Sequence, residues 1–171
     1  MIATASFFLP LGTSLFWLPW AWKHDRPKAL RNLAAVKGHV DYVRVFGEVG
    51  SASWADRVIN PTWPDYETLM AEMIDVAYDE YGLRVQITIF ADGGMFEPQA
   101  VTCERWIRIR AGREHKILLW EFFNEDNYGP DHNSALAITR TYGPQMGGLF
   151  AVHSPDDGGT IEGAKALLDA T

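Results

Sequence analysis

Apolar positions recur along this chain in two rhythms, one of strand alternation and one of helical spacing. Thr13–Trp17 is a short apolar run, and the Trp- and Pro-rich Leu18–Trp22 after it reads as an aromatic loop. Asp25 is placed to cap a helix with Pro27 in its first turn; Leu30, Leu33 and Ala34 share a face, and Gly38 is a stop. Val40–Phe46, rich in Val, Tyr and Phe, predicts a second strand. A connection over residues 47–64 carries Gly47, Gly50, Trp54, Asn60, Pro61, Trp63 and Pro64. Asp65 then opens the clearest helix: Tyr66, Leu69, Met70, Met73, Ile74, Ala77 and Tyr81 fall at i, i+3, i+4 steps, and Gly82 ends it.

Leu83, Val85, Ile87 and Ile89 alternate with Arg84, Gln86 and Thr88 as a third strand, followed by a loop with Asp92, Gly93, Gly94 and Pro98. A helix over 101–112 has Trp106 and Ile109 inward and Gly112 behind it. Ile117–Phe123 is almost wholly apolar, as a strand buried on both faces should be, and Asn124, Glu125 and Asp126 break it off. A helix over 133–142, a fifth strand over Leu149–Val152 and a last helix over Ile161–Ala170 complete the string βαβαβαβαβα. Strands separated by helical crossovers imply an α/β fold with a parallel sheet, open or closed into a barrel.

Composition narrows the choice. A length of 171 residues suits a single domain with a substantial core, and 22% charged with 13% aromatic residues excludes a disordered chain. The net charge of −7 and the lack of a Lys/Arg block argue against nucleic acid and against an anionic membrane as partners. Cys103 stands alone, which excludes an internal disulfide and a multi-cysteine zinc site. Ala5–Trp22 is uncharged, but no basic residue precedes it and Pro10, Gly12 and Pro19 interrupt it. A strand and loop of a soluble protein therefore fit it better than a signal peptide or membrane span; the compartment stays open.

Neither G-x-G-x-x-G nor G-x-x-x-x-G-K-[ST] nor G-x-S-x-G occurs, so dinucleotide, P-loop and serine-hydrolase chemistry have no support. Polar and aromatic residues collect after the strands instead. Trp17, Trp20 and Trp22 follow the first, Glu48 and Trp54 the second, and Asp92 the third. Asn124 and Glu125 follow the fourth; His153, Ser154, Asp156 and Asp157 follow the fifth. Barrel enzymes place their sites at these carboxyl ends.

Trp120-Glu121-Phe122-Phe123-Asn124-Glu125 resembles the fourth-strand motif of the retaining glycoside hydrolases of the (β/α)8-barrel clan that includes cellulases and mannanases. Tyr42-Val43-Arg44-Val45-Phe46-Gly47 resembles that clan's second strand, and one βα unit lies between the two, as in the clan. The resemblance implies a partial parallel β/α barrel of TIM type, with about five βα units in this chain. It implies Glu125 as general acid/base, Asn124 holding a sugar hydroxyl and Arg44 supporting the nucleophile. Trp20, Trp22, Trp120 and His153 become candidate sugar contacts; an oligo- or polysaccharide is the implied substrate, and no cofactor is implied.

The chemistry is coherent. Glycoside cleavage needs a proton donor at the leaving oxygen and, for retention, a carboxylate about 5–5.5 Å away. A carboxyl beside so apolar a strand could have a raised pKa, which suits an acid. Each residue also has a plainer reading: Arg44 as an ion-pair residue, the tryptophans as loop packing, His153 as a structural histidine, Cys103 as core. The clan's nucleophile follows a seventh strand, for which this chain has no counterpart. A second chain or second copy completing the barrel, or a shortened domain that binds glycan or protein without catalysis, would account for that. Glu48, Asp92 and Asp156 are the candidates for a substitute carboxylate.

Overall fold

The computed structural model of the protein describes residues 10–50, 57–91, 96–124 and 132–150, with the backbone alone over 132–136. The strands are β1 (Gly12–Ser14), β2 (Tyr42–Glu48), β3 (Arg84–Phe90), β4 (Ile117–Phe123) and β5 (Leu149–Phe150). The helices are α1 (Leu18–His24), α2 (Arg26–Val36), α3 (Tyr66–Asp79), α4 (Gln99–Arg110) and α5 (His132–Met146). The five strands form one parallel sheet in the order β1-β2-β3-β4-β5. Each strand pairs with its neighbour in sequence, so the order nowhere reverses as it does in a doubly wound nucleotide-binding sheet.

One face of the sheet takes the helices. Trp106 of α4 meets Trp120 of β4 edge-on at 5.9 Å, and the Tyr66 hydroxyl of α3 donates to the Gly47 carbonyl of β2 at 2.8 Å. Tyr66, Leu69, Met70, Met73, Ile74 and Ala77 are all buried, as their spacing predicts. Each wholly buried Met or Ile there contributes about 1.5–3 kcal/mol. Gly47 has no room for a side chain: a Cβ would stand 2.9 Å from both Trp106 Cζ2 and the Ile89 carbonyl. Gly82 ends α3 at φ 71°, with its N–H on the Tyr78 carbonyl and the Leu83 N–H on the Ala77 carbonyl, both at 2.9 Å.

Four local expectations are corrected. Leu18–Trp22 is not a loop but most of α1: Pro19 falls in the first turn, where its missing N–H costs nothing, and burial of Leu18, Ala21 and Trp22 holds the turn pair in place. On α2 the buried face is Ala29 and Leu33, while Ala34 is exposed. Asp65 precedes α3 without capping it, because its carboxylate is taken by Lys23 Nζ at 2.7 Å; Asp25 does cap α2, accepting from the Lys28 N–H at 3.1 Å. Helix α5 runs past Pro144 to Met146 instead of stopping at 142. The expected helix Ile161–Ala170 and the end of the fifth strand lie outside the described residues.

Candidate functional site

Alternation along the strands sends Arg44 and Phe46, Gln86, Thr88 and Phe90, and Glu121 and Phe123 to the face opposite the helices. The register brings them into rows: Arg44 pairs with Gln86, Phe46 with Thr88, Thr88 with Glu121, and Phe90 with Phe123. A register shift between Val85 and Gln86 lifts β4, so that Glu121 stands level with Thr88.

This row holds a buried ion pair. Arg44 donates to Glu121 Oε2 through Nη2 at 2.6 Å and through Nε at 2.8 Å. The Thr88 hydroxyl donates to the same oxygen, and Gln86 Nε2 approaches it at 3.4 Å. The side chains are 15% and 4% exposed, so the pair depends on these added bonds to offset its desolvation. Glu121 Oε2 thereby organises the row, gathering donors from β2 and β3.

Arg44 extends from this pair to the strand end, where Nη2 donates to Asn124 Oδ1 at 2.9 Å. The Asn124 backbone N–H donates to the Phe90 carbonyl at 2.9 Å, fixing the residue at both ends. With Oδ1 occupied, the amide has its Nδ2 hydrogens to offer a ligand. Phe16 and Phe46 stack at 4.4 Å, and the Arg44 guanidinium lies 5.1 Å and 5.6 Å from their rings. The run after β1 reaches this place by strand pairing: Leu15 N–H meets the Arg44 carbonyl at 2.9 Å and Phe46 N–H the Phe16 carbonyl at 3.3 Å.

The sequence-derived candidates divide. Arg44 and Asn124 come together directly. Trp20, half-buried and 5.2 Å from the His24 ring, lines a cavity beside Phe16. Trp22 and Trp120 belong to the packing instead. Trp22 is buried, donates from Nε1 to Glu72 at 3.2 Å and lies 4.1 Å below the Arg26 guanidinium. Trp120 is buried on the helix side of the sheet, away from Arg44, against Trp106. Glu125 and His153 lie outside the described residues, as do Asp92, Asp156 and Trp54.

Glu48, at the end of β2, is wholly buried; its carbonyl accepts from Ala91 N–H at 3.0 Å and its Oε1 from Phe96 N–H at 3.4 Å. Cys103 is buried in α4, and burial pushes its thiol far above the ordinary range, leaving it unreactive. Burial, reinforced by the nearby Glu48 charge, likewise raises the Tyr66 hydroxyl. Among the described residues no three His, Cys, Asp or Glu side chains gather to hold a metal ion, and no helix is long and apolar enough to cross a membrane.

Glu121 carries no role in the sequence reading, yet one signal marks it. A single charge inside an otherwise apolar strand requires a partner, and Arg44 is the cation two strands away on the same face.

Fold and site together define an α/β protein with a five-stranded, consecutively ordered parallel sheet and a buried polar row on the face opposite its described helices. The chain matches no protein-family model, no curated protein and no solved structure.

Proposed function

We propose that this protein is a glycoside-hydrolase-like domain laid out as five βα units of a TIM-type barrel, handling an oligo- or polysaccharide at the carboxyl ends of its strands. The observation that carries this reading is the Arg44–Asn124 hydrogen bond at 2.9 Å, braced by Glu121. It ties the end of the Asn-Glu strand to the Arg-bearing strand, the two segments that carry the resemblance. Consecutive strand order supports the barrel layout, because right-handed crossovers between sequential neighbours set all helices on one side and curve the sheet around the other. Leu11, next to β1, and Leu149, in β5, are each more than half exposed, which suits edges that a second copy or second chain would cover.

In this reading Glu125, next to the fixed Asn124, gives its proton to the leaving glycosidic oxygen and then takes one from the attacking water. Asn124 holds a sugar hydroxyl through Nδ2 and so orients the ring against Glu125. Arg44 positions Asn124 and so acts through it. A second carboxylate completes the retaining mechanism, with Glu48 at the end of β2, two strands away, as the candidate within the described residues.

The test is hydrolysis of a panel of aryl glycosides and oligosaccharides by the full chain across pH. Turnover supports the enzyme. Saturable glycan binding with no turnover would replace it with a non-catalytic binding domain on the same scaffold.

A further inference from the structure

A cavity of about 330 Å³ opens where the end of β1, α1 and α2 meet. That is within the range of small-ligand sites, about 300–1,000 Å³. Phe16, Trp17 and Trp20 supply aromatic wall, while Lys28, Asn32 and Arg57 supply the polar part. Lys28 and Asn32 are four positions apart on α2, so both project from one face of the helix. Among the described residues no Asp or Glu lines the cavity, although acidic residues outnumber basic ones 22 to 15 in the chain.

Among the described residues neither cation is paired with a carboxylate. Most of the well-anchored cations here sit in ion pairs: Lys23 with Asp65, Arg26 with Glu72, Arg113 and Lys116 with Asp75. Lys28 and Arg57 have no ion pair among the described residues. The Arg57 guanidinium instead lies 5.7 Å from the Trp17 ring. An indole holds a guanidinium by its face and leaves the N–H edge free to grip a carboxylate. Phe16 is shared: it lines the cavity and also stacks on Phe46 beside Arg44, so this cavity adjoins the Arg44–Asn124 site.

An aromatic wall, an amide and two cations match a ring that is apolar on its face, hydroxylated at its rim and anionic at one end. We propose that this cavity binds a hexuronic acid unit, with its C–H face on Trp20, hydroxyls at Asn32, and its carboxylate between Lys28 and Arg57. The inference rests on the glycan reading above and names the substrate class: an acidic glycan.

The experiment titrates the full chain with methyl glucuronide, methyl glucoside and benzoate, following tryptophan fluorescence. Methyl glucuronide is expected to bind saturably and about tenfold or more tighter than the glucoside, and added salt is expected to weaken it. Lys28→Ala and Arg57→Ala each remove about tenfold of that affinity. Both side chains are exposed, and an unchanged circular dichroism spectrum shows that the variants fold. Equal binding of glucuronide and glucoside, no binding, or full affinity in both variants would overturn the proposal. Benzoate binding more tightly than the glucuronide would overturn its sugar half. If acidic sugars fail to bind while neutral glycosides are hydrolysed, this inference alone falls. If glucuronide binds and no glycoside is cleaved, the catalytic reading falls instead.

Discussion

Arg44 and Asn124, 80 positions apart in sequence, are joined by a hydrogen bond of 2.9 Å that crosses over the whole of β3. The bond exists because Glu121 turns Arg44 upward from below: one carboxylate oxygen receives two guanidinium donors and the Thr88 hydroxyl. The ion pair thus orients the strand end as well as satisfying two buried charges.

Removing half of the pair should cost far more than removing all of it. Glu121→Ala leaves Arg44 buried without its counter-charge and is expected to destabilise by about 3–5 kcal/mol in urea unfolding. Combining Arg44→Met with Glu121→Leu is expected to restore stability to near the wild-type value, because two apolar chains of similar volume need no desolvation offset. The double variant loses the Arg44 donor to Asn124, so turnover should stay about 100-fold down in a protein that is otherwise stable. A double variant as unstable as Glu121→Ala would contradict this account of the pair.

The tryptophans should separate by assay. Trp120→Ala empties a buried site against Trp106 and is expected to cost about 3–5 kcal/mol. Trp22→Phe loses the indole bond to Glu72 and part of the stacking under Arg26, about 1 kcal/mol. Neither change should alter the affinity of a stable protein for sugar, measured well below the unfolding midpoint. Trp20→Ala should do the reverse, weakening methyl glucuronide with a smaller shift in the urea midpoint.

Acid should unfold the protein through its surface carboxylates. The bond from Arg108 holds Glu67 below the usual carboxylate range; the bond from Arg26, with that from Trp22, does the same for Glu72. At Asp75 burial pushes upward, but the Arg113 and Lys116 bonds outweigh it and the group is lowered. Groups lowered by folding contribute their stability above the unfolded values, about 3.9–4.3, and lose it as pH falls through the folded ones. The melting temperature should therefore be flat from about pH 7 to 5 and fall below about pH 4, more gently at high salt. A melting temperature that rises between pH 5 and pH 3 would contradict the assignment.

What was legible in the sequence depended on whether one local rule governed the segment. Ile117–Phe123 carries a continuous apolar run cut by Asn-Glu-Asp, and β4 has those bounds. Gly38, Gly82 and Gly112 mark helix ends because each takes a positive φ, between 71° and 78°. Helix α1 escaped because Pro and bulky aromatics disfavour a helix locally, and only the burial of Leu18, Ala21 and Trp22 against the rest of the chain overrides them. Asp65 looked like a cap because capping is local, whereas its partner Lys23 is 42 positions away. In the site, the resemblance brought out Arg44 and Asn124, and the structure joins them. Period-two alternation puts Gln86 and Thr88 on one face of β3 but does not show that Arg44, Gln86, Thr88 and Glu121 meet there. That convergence depends on the register shift in β3, which no residue type announces.

The most direct test of the central claim compares wild type with Glu125→Gln on two substrates of one sugar, a nitrophenyl glycoside and an alkyl glycoside. A nitrophenolate leaves without a proton, whereas an alkoxide needs one. The account predicts that Glu125→Gln lowers alkyl glycoside turnover by about 100- to 10,000-fold, with a smaller loss on the nitrophenyl substrate. The fall in rate at high pH, where a general acid loses its proton, should vanish in the variant. Equal turnover of both substrates by wild type and Glu125→Gln, or no turnover by the wild type on either, would contradict it.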